Sequence, residues 1–337
     1  MSLPLALTMG EPAGIGGEIT LLAWIKRREA TVPPFFAIDD PSRLARLAAA
    51  FGWRVPLRAI GAPEEAVSAF ADALPVLPLS LPERAHPGKP DPANAPAVLA
   101  AITTGLALVT SGRAAAIVTN PIQKETLYAA GFGHPGHTEF LAELAGGRTP
   151  VMMLCCPGLR VVPVTSHLPL RDALAALSFE RIVATGRIAA AGLAVDFAIA
   201  RPRLAVAGLN PHAGENGTLG REEIDIIAPA VAALRAAGID ARGPAPADTL
   251  FHAAARTSYD AVICMYHDQA LIPLKTIDFA RGVNVTLGLP FIRTSPDHGT
   301  ALDIAGTGKA DPSSLLAALA LAGEMAALRA KPPPPSA

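Results

Sequence analysis

Short apolar runs that alternate with helical segments are the feature of this chain that most restricts its fold. Residues 3–9, 114–119, 203–208 and 261–265 are four such runs, and each is followed by glycine or polar residues. Runs of this length, bounded by turn residues, are typical of buried strands in a parallel sheet. The pattern therefore predicts an α/β fold, in which ligands bind at the carboxyl ends of the strands.

The composition supports a compact fold and argues against several classes of partner. Of the 337 residues, 51% are hydrophobic, 17% are charged and only 5% are aromatic, so small aliphatic side chains fill the core. A net charge of -1 gives no long-range attraction to nucleic acid or to an anionic membrane. The N-terminus lacks a signal-peptide pattern, and no uncharged apolar run reaches the ~20 residues of a membrane span. We therefore expect a cytoplasmic protein with no nucleic-acid or membrane partner.

The three cysteines predict free thiols. Cys155 and Cys156 are adjacent and unsuited to pairing with each other, and Cys264 makes the total odd. All three lie in apolar runs, which favours buried, unpaired side chains.

A glycine-rich loop follows the first apolar run. Residues 10–18 read GEPAGIGGE and precede a predicted helix. A strand, a glycine loop and a helix in this order place backbone N–H groups where anions bind. The glycines fit neither the G-x-G-x-x-G fingerprint nor a P-loop. An anion site and a simple tight turn both remain open as interpretations.

Three predicted strands each end in a loop that contains one histidine, namely His167, His212 or His267. In a parallel sheet the carboxyl ends of the strands lie side by side, so these imidazoles are expected to converge. Three neutral imidazoles with an open fourth position can hold a catalytic divalent metal. His86 and His252 lack such a context.

The stretch 265–308 combines strand-like apolar pieces with a high density of polar groups. Lys275, Asn284 and Arg293 offer donors to anionic oxygen, as a phosphorylated or carboxylated small molecule requires. The alternative is a polar network that only ties two elements together. The functional interpretation is favoured, because a stretch that only filled a core would not need these groups.

The polar loops also contain a set of longer motifs. They are residues 135–139 (PGHTE), 165–170 (TSHLPL), 209–215 (LNPHAGE), 266–269 (YHDQ), 282–288 (GVNVTLG) and 293–300 (RTSPDHGT). Through them the chain resembles, nearly from end to end, the 4-hydroxythreonine-4-phosphate dehydrogenase family of vitamin B6 biosynthesis. There are three small departures: Glu11 stands where Asp is usual, Gly17 where Pro is common, and Ala270 where Gly is expected.

The resemblance implies a homodimer with a fold similar to isocitrate and isopropylmalate dehydrogenases, in which two α/β domains flank a cleft. Residues 1–130 and 290–330 are expected to form the domain with both ends of the chain and the cofactor loop. Residues 131–289 are expected to contain the metal ligands and the dimer interface. Residues 331–337 (KPPPPSA) are expected to be a disordered tail.

The resemblance also assigns roles to individual residues. His167, His212 and His267 would bind a divalent ion such as zinc, magnesium or cobalt, at a dimer interface where His267 meets the other two histidines from the other subunit. The substrate contacts would be His137, Thr138, Lys275, Asn284 and Arg293. The dinucleotide contacts would be Asp297, His298, Gly299, Thr300, Asp303 and Gly306. The candidates for proton transfer are Asp248, Asp268 and Lys275.

The implied reaction is the oxidation of 4-phosphooxy-L-threonine at its 3-hydroxyl by NAD or NADP, with decarboxylation to 3-amino-2-oxopropyl phosphate. A paralogue that oxidises 4-phospho-erythronate or 4-phospho-threonate would use the same framework. A non-catalytic sensor of a phosphorylated metabolite is a different alternative, which the cofactor-like loop disfavours. A phosphotransacetylase is another, but it would need neither three histidines nor a dinucleotide loop.

Overall fold

The computed structural model describes residues 3–133 and 137–330, without the side chains of residues 137–139. It shows a mixed α/β fold, which confirms the predicted fold class. The predicted tail at 331–337 and the first part of the PGHTE motif lie outside the described residues. The chain folds as two compact units, Met1–Arg148 with Leu289–Ala337 and Thr149–Gly288.

The helices and strands are numbered here in chain order. The strands are β1 Leu5–Thr8, β2 Phe35–Asp39, β3 Leu57–Ala59, β4 Leu74–Pro78, β5 Ile117–Thr119, β6 Val151–Cys156, β7 Leu159–Pro163, β8 Arg203–Ala207, β9 Asp240–Ala245, β10 Ala261–Cys264, β11 Val283–Leu287 and β12 Arg293–Pro296. The α-helices are α1 Gly16–Ile25, α2 Pro41–Ala50, α3 Ala66–Ala69, α4 Ala95–Thr110, α5 Lys124–Ala129, α6 His137–Leu144, α7 Leu170–Ala176, α8 Phe179–Asp196, α9 Ala228–Ala236, α10 His267–Ile277 and α11 Ser313–Arg329.

The first unit is built on parallel strands in the order β3-β4-β2-β1-β5-β12. Its core includes Ile102 of α4, Leu127 of α5 and Leu141 of α6. Residues 131–148 were expected in the second domain, but they belong to this unit. The physical reason is that the apolar face of α6 packs into the same core as α4.

The second unit has the strand order β11-β6-β7-β10-β8-β9. β6 and β7 form an antiparallel hairpin around Pro157 and Gly158, in which Cys156 pairs with Leu159. β7, β10, β8 and β9 are parallel neighbours. Their common direction brings their carboxyl ends to one edge of the sheet.

The three cysteines are free and buried, as predicted. Burial raises the pKa of the Cys155 thiol to about 12. These thiols therefore fill the core as small apolar groups and stay protonated at neutral pH.

The segment Pro92–Thr110 has the length and apolarity of a membrane span, with a mean hydropathy of 1.5. Half of that segment is buried within the structure. Val98, Ala101 and Ile102 lie in the apolar core of the first unit. This burial is typical of a helix in the core of a folded unit.

Candidate active site

The three candidate metal ligands follow three strands that are neighbours in the sheet. β10 pairs in parallel with β7 on one side and with β8 on the other. His167 follows β7, His267 follows β10 and His212 follows β8. The topology therefore puts the three histidine loops at adjacent strand ends of the second unit, which is the usual place for ligands in an open α/β sheet.

Buried hydrogen bonds connect these strand ends. The Thr165 hydroxyl donates to the carbonyl of Met265 at 2.8 Å, which ties the end of β7 to the end of β10. Gln269 accepts from the Met265 N–H at 2.7 Å and donates to the carbonyl of Gly208 at 2.8 Å, which ties β10 to β8. Because Thr165 and Gln269 are buried, these bonds hold the loops in fixed positions.

The loop that contains His212 is held by a buried carboxylate. Glu223 accepts from the backbone N–H groups of Leu209 and Asn210, each at 2.7 Å, and from the side-chain amide of Asn210 at 2.9 Å. Burial raises the pKa of Glu223, but the hydrogen bonds outweigh that effect and leave its pKa below the ordinary 4.5. Glu223 is therefore ionised at neutral pH and fixes the start of this loop.

Two of the histidines also have unusual backbone conformations. His167 has a φ of 54° and His212 has a φ of 52°. His212 begins a run of five residues in the left-handed region, which ends at Asn216. Residues other than glycine rarely adopt this region, and such strain concentrates at functional sites.

His167 and His267 come together within one chain. Their ring centroids are 5.7 Å apart, and both line a cavity of about 250 Å³ with Tyr266 and Asp268. The Nδ1 atom of His267 lies 2.7 Å from a carboxylate oxygen of Asp268. A carboxylate at Nδ1 favours the tautomer whose Nε2 lone pair can bind a metal.

The donor set of this pair fits a divalent ion. Two imidazoles on one tetrahedral ion have ring centroids roughly 5 Å apart, given metal–nitrogen bonds of about 2 Å. The 5.7 Å spacing of His167 and His267 is close to that value. The nearby Asp268 carboxylate adds the negative charge that commonly supports a metal-bound histidine.

His212 does not join this pair within the chain. Across residues 3–133 and 137–330, no three His, Cys, Asp or Glu side chains are close enough together to hold a metal. The sequence implied that His267 would meet His167 from the other subunit. Within one chain, the pairing of β7 and β10 also brings His167 and His267 close together, and His212 lies apart from them.

The other candidate residues of the second unit lie on neighbouring elements. Asp248, in a short 3₁₀ helix, lines a cavity of about 390 Å³ together with Asp268. Lys275 is on α10, with its Nζ atom 5.4 Å from the ring centroid of Phe279. Asn284 is on β11, and its buried side-chain oxygen accepts no hydrogen bond from a described residue. That oxygen is an acceptor available to a ligand, because buried polar atoms are normally satisfied.

The remaining substrate candidates belong to the first unit. Arg293 is buried on β12 and donates to the Thr119 hydroxyl at 2.7 Å. His137 and Thr138 start α6, but their side chains lie outside the described residues.

The predicted dinucleotide loop, residues 297–306, is anchored to its surroundings at several points. The Asp297 N–H donates to the Ser314 hydroxyl at 3.0 Å, and the Thr300 hydroxyl donates to Gln123 at 3.1 Å. The Gly306 N–H donates to Glu18 at 2.6 Å. These bonds preorganise the loop and leave Gly299 and Asp303 exposed to solvent. Nδ1 of His298 lies 2.9 Å from the carbonyl of Gly299.

The glycine-rich loop at 10–18 packs against the predicted dinucleotide loop, residues 297–306. The Ile15 N–H donates to the carbonyl of Thr300 at 3.0 Å, and the Ala13 N–H donates to the Glu11 carboxylate at 3.0 Å. A carboxylate of the chain itself therefore occupies the place where an external anion was considered. Since residues 11–18 are buried, the tight-turn interpretation fits the structure.

Sequence reasoning missed the buried polar residues that hold the site. Glu18, Glu223 and Gln269 are each at most 8% exposed and act through backbone groups of other segments. Burial, the largest influence on Glu18, raises its pKa. In the sequence, Glu18 and Glu223 stand out only as charged residues in predicted helices, and Gln269 only as part of the YHDQ motif, which suggests a partner for each but does not identify it.

The chain matches one family of known proteins over most of its length. The family model described as pyridoxal phosphate biosynthetic protein PdxA matches residues 31–322. The chain is 60% identical over 338 residues to 4-hydroxythreonine-4-phosphate dehydrogenase of Bradyrhizobium diazoefficiens, and the match covers 97% of this chain and 98% of that protein. It is 56% identical to the protein of the same name in Xanthobacter autotrophicus, over 97% of this chain and 95% of that one.

Solved structures give the same result. A crystal structure of 4-hydroxythreonine-4-phosphate dehydrogenase from Klebsiella pneumoniae matches with a TM-score of 0.86 and 42% identity, over 96% of this chain and 100% of that chain. The resemblance inferred from the motifs is therefore confirmed.

Proposed function

Because the chain belongs to the PdxA family of pyridoxal phosphate biosynthetic proteins, we propose that it oxidises 4-phosphooxy-L-threonine at its 3-hydroxyl. The resulting 3-keto acid loses CO2 and gives 3-amino-2-oxopropyl phosphate, a step in vitamin B6 biosynthesis. The observation that carries the proposal is the convergence of His167 and His267 beside Asp268, in a chain 60% identical to a protein with this name. The cytoplasm remains the expected compartment.

We assign the metal to His167 and His267 of one chain and to His212 of the partner subunit. The support is the close approach of the first two and the separate position of the third. Zinc, magnesium and cobalt all remain candidates, since imidazole and carboxylate groups suit several divalent ions. The site would then be complete only in a homodimer.

Exposed apolar side chains on the elements around this site support the homodimer. Leu170 is 60% exposed, Ile272 63% and Phe279 79%. Large apolar side chains at such exposure on neighbouring elements are typical of surfaces that associate. These residues lie on or directly after α7 and α10, close in sequence to His167 and His267.

Cationic and amide groups are proposed to hold the substrate. Lys275 and Arg293 offer charged donors to phosphate and carboxylate oxygens, and Asn284 offers an amide. His137 and Thr138 start a helix, where backbone N–H groups attract a phosphate. Fixed positions for these groups lower the entropic part of the barrier, because the substrate reacts from one orientation.

The dinucleotide, NAD or NADP, is proposed to bind at residues 297–306. His298, Gly299 and Asp303 would face it, while Asp297, Thr300 and Gly306 hold the loop through the hydrogen bonds described above. A bound divalent ion would supply Lewis acidity, and a bound oxidised nicotinamide would supply a hydride acceptor.

Side chains of this chain are proposed to move the protons. Oxidation releases one proton from the hydroxyl, and decarboxylation breaks a carbon–carbon bond and requires one proton at carbon. Asp268 lies beside His267, and Asp248 lines a cavity with Asp268, so both are near the proposed metal ligands. Lys275 on α10 is the third candidate. General acid–base catalysis by a positioned group contributes about 10²–10⁴-fold to the rate.

The test is a substrate panel with NAD+ and NADP+, run after metal removal and again after metal is added back. We expect NADH or NADPH to form with 4-phosphooxy-L-threonine and only in the presence of metal. His212→Ala should abolish this turnover and leave the fold intact, while His252→Ala, an exposed histidine away from the cavity, should change neither. Undiminished activity of the metal-free wild type would contradict the metal assignment. Turnover of 4-phospho-erythronate, without turnover of 4-phosphooxy-L-threonine, would show that the proposed substrate is wrong.

A further inference from the structure

A further cavity, of about 180 Å³, lies in the first unit, whereas the histidine loops belong to the second unit. One wall is a face of α2, where Arg43, Arg46, Leu47 and Ala50 follow the i, i+3, i+4, i+7 spacing of one helix side. The other wall is formed mainly by residues 84–87.

The cavity is strongly basic. Its lining includes Arg43, Arg46, Arg84 and His86, and no acidic side chain is among the described residues that line it. Arg46 and Arg84 are exposed, and neither forms a salt bridge with a residue in the described parts of the chain. Arg46 interacts electrostatically with Asp40, which is not among the lining residues. Two guanidinium groups that line one cavity and form no salt bridge attract an anion, and their planar forks match phosphate oxygens.

Arg43 gives the cavity a fixed wall. It is 2% exposed, and its Nη1 atom binds both carboxylate oxygens of Asp39 at 2.8 and 2.7 Å. Its Nε atom donates to the carbonyl of Pro12 at 3.1 Å. Its Nη2 atom is buried and has no acceptor among the described residues. The ion pair with Asp39 and the bond to Pro12 therefore hold this side of the cavity in place.

The opposite wall is also held in place. The Gly88 N–H donates to the carbonyl of Ala13 at 2.8 Å, and the Glu83 N–H donates to the side chain of Asn94 at 3.0 Å. The backbone on both sides of Arg84 is therefore held by hydrogen bonds.

Both walls touch the proposed dinucleotide loop or its continuation. A methyl group on Gly306 would lie 2.6 Å from Cβ of Pro87, and one on Gly88 would lie 2.9 Å from the carbonyl oxygen of Leu302. A methyl group on Gly308 would lie 3.3 Å from the ring of Phe51, the residue that follows α2. The basic cavity and residues 297–306 are thus parts of one continuous surface.

We propose that this cavity binds a phosphoryl group of the dinucleotide, with Arg46 and Arg84 as the contacting groups. The proposal rests on the proposed cofactor role of residues 297–306. The phosphoryl group belongs either to the pyrophosphate, which NAD and NADP share, or to the 2′-phosphate, which only NADP has. A pyrophosphate contact would affect the binding of NAD and of NADP, whereas a 2′-phosphate contact would affect only the binding of NADP.

The experiment measures the dissociation constants of NAD+ and NADP+ by titration calorimetry for the full-length wild type, Arg46→Ala and Arg84→Ala. Arg58→Ala is the matched control, because Arg58 is an exposed arginine on β3 that does not line the cavity. A charge-assisted contact predicts a rise of about tenfold in the affected dissociation constant for each cavity variant. Arg84→Lys should recover part of the loss. Thermal unfolding of each variant checks that the fold is intact.

The outcomes separate the possible explanations. A rise for both dinucleotides supports a pyrophosphate contact, and a rise for NADP+ alone supports a 2′-phosphate contact. Unchanged constants in both folded cavity variants, with measurable binding to the wild type, would overturn the proposal and leave the role of the loop intact. Absence of binding of either dinucleotide to the wild type would instead overturn the cofactor role of residues 297–306, and this proposal with it.

Discussion

Glu223 shows how one buried carboxylate sets the position of a proposed metal ligand. It binds two backbone N–H groups at the start of the loop that contains His212. Its pKa is below the ordinary 4.5, so its contribution to stability is fully present above that pH. As the pH falls below 4.5 and through the lower folded-state pKa, the carboxylate is protonated and the contribution is lost.

This gives a prediction for Glu223→Gln. The variant should be less stable than the wild type at neutral pH, by about 1–3 kcal/mol, because a buried network loses its charge-assisted bonds. The difference in free energy of unfolding should shrink as the pH falls below about 4.5. Urea unfolding from neutral pH to acid pH checks it. A difference that is independent of pH would show that the charge of Glu223 is not the cause.

Gly14→Ala tests whether the glycine-rich loop holds the proposed dinucleotide loop in position. A methyl group there would lie 2.9 Å from the carbonyl oxygen of Thr300, which is backbone and unable to rotate away. Gly14→Ala should therefore displace the loop, lower the free energy of unfolding by about 1–3 kcal/mol and weaken dinucleotide binding. Gly61→Ala is the control, because its methyl group would meet only the side chain of Glu65 at 3.5 Å. Wild-type dinucleotide affinity in folded Gly14→Ala would contradict the supporting role.

At the scale of residues, the sequence indicated which side chains could take part in chemistry. It did not indicate which other residues those side chains contact. His167, His212 and His267 stood out because each follows an apolar strand, and the strand ends are indeed adjacent. Glu18 binds a backbone group 288 residues away, and no local pattern predicts such a contact. The left-handed conformation of His212 also follows from the packing of its loop, since histidine itself does not require it.

At the scale of elements, the hydrogen bond from the buried hydroxyl of Thr165 joins the end of β7 to the end of β10. Removing that hydroxyl leaves the carbonyl of Met265 without its donor and loosens the connection between the two histidine loops. The elements themselves stay intact, because their strand pairing does not depend on this bond.

Thr165→Val should therefore lower the free energy of unfolding by about 1–2 kcal/mol and weaken metal binding. Thr103→Val is the matched control, since the Thr103 hydroxyl is exposed and bonds only within α4. Urea unfolding and a Zn2+ or Co2+ titration give the two measurements. Metal affinity equal to that of the wild type in Thr165→Val would show that this bond does not position the ligands.

Most elements could be predicted from the sequence, and the exceptions have physical causes. The proline-rich residues 77–92 suggest a surface loop, yet Leu77 and Pro78 are the last two residues of β4, which lies between β2 and β3. β9 is polar and contains a Gly–Pro pair, and it forms the edge of its sheet, where proline is tolerated. Ala270 replaces an expected glycine without strain, because it is buried in a helical position of α10.

At the scale of the whole molecule, the central claim is that each metal site is built by two chains. In the proposed site, one chain would provide His167 and His267, which approach each other through the pairing of β7 and β10. The partner subunit would provide His212. Such sharing would make activity a property of the dimer and would allow defective subunits to complement each other.

Heterodimers between two inactive variants test this claim most directly. Coexpression with two affinity tags isolates heterodimers of a His167→Ala subunit with a His212→Ala subunit. One of their two sites has both substitutions and the other has neither, so we predict about half of the wild-type specific activity. Heterodimers of His167→Ala with His267→Ala should stay inactive, because each site keeps one substitution. Activity in this second heterodimer alone, or in neither, would contradict the shared site described here.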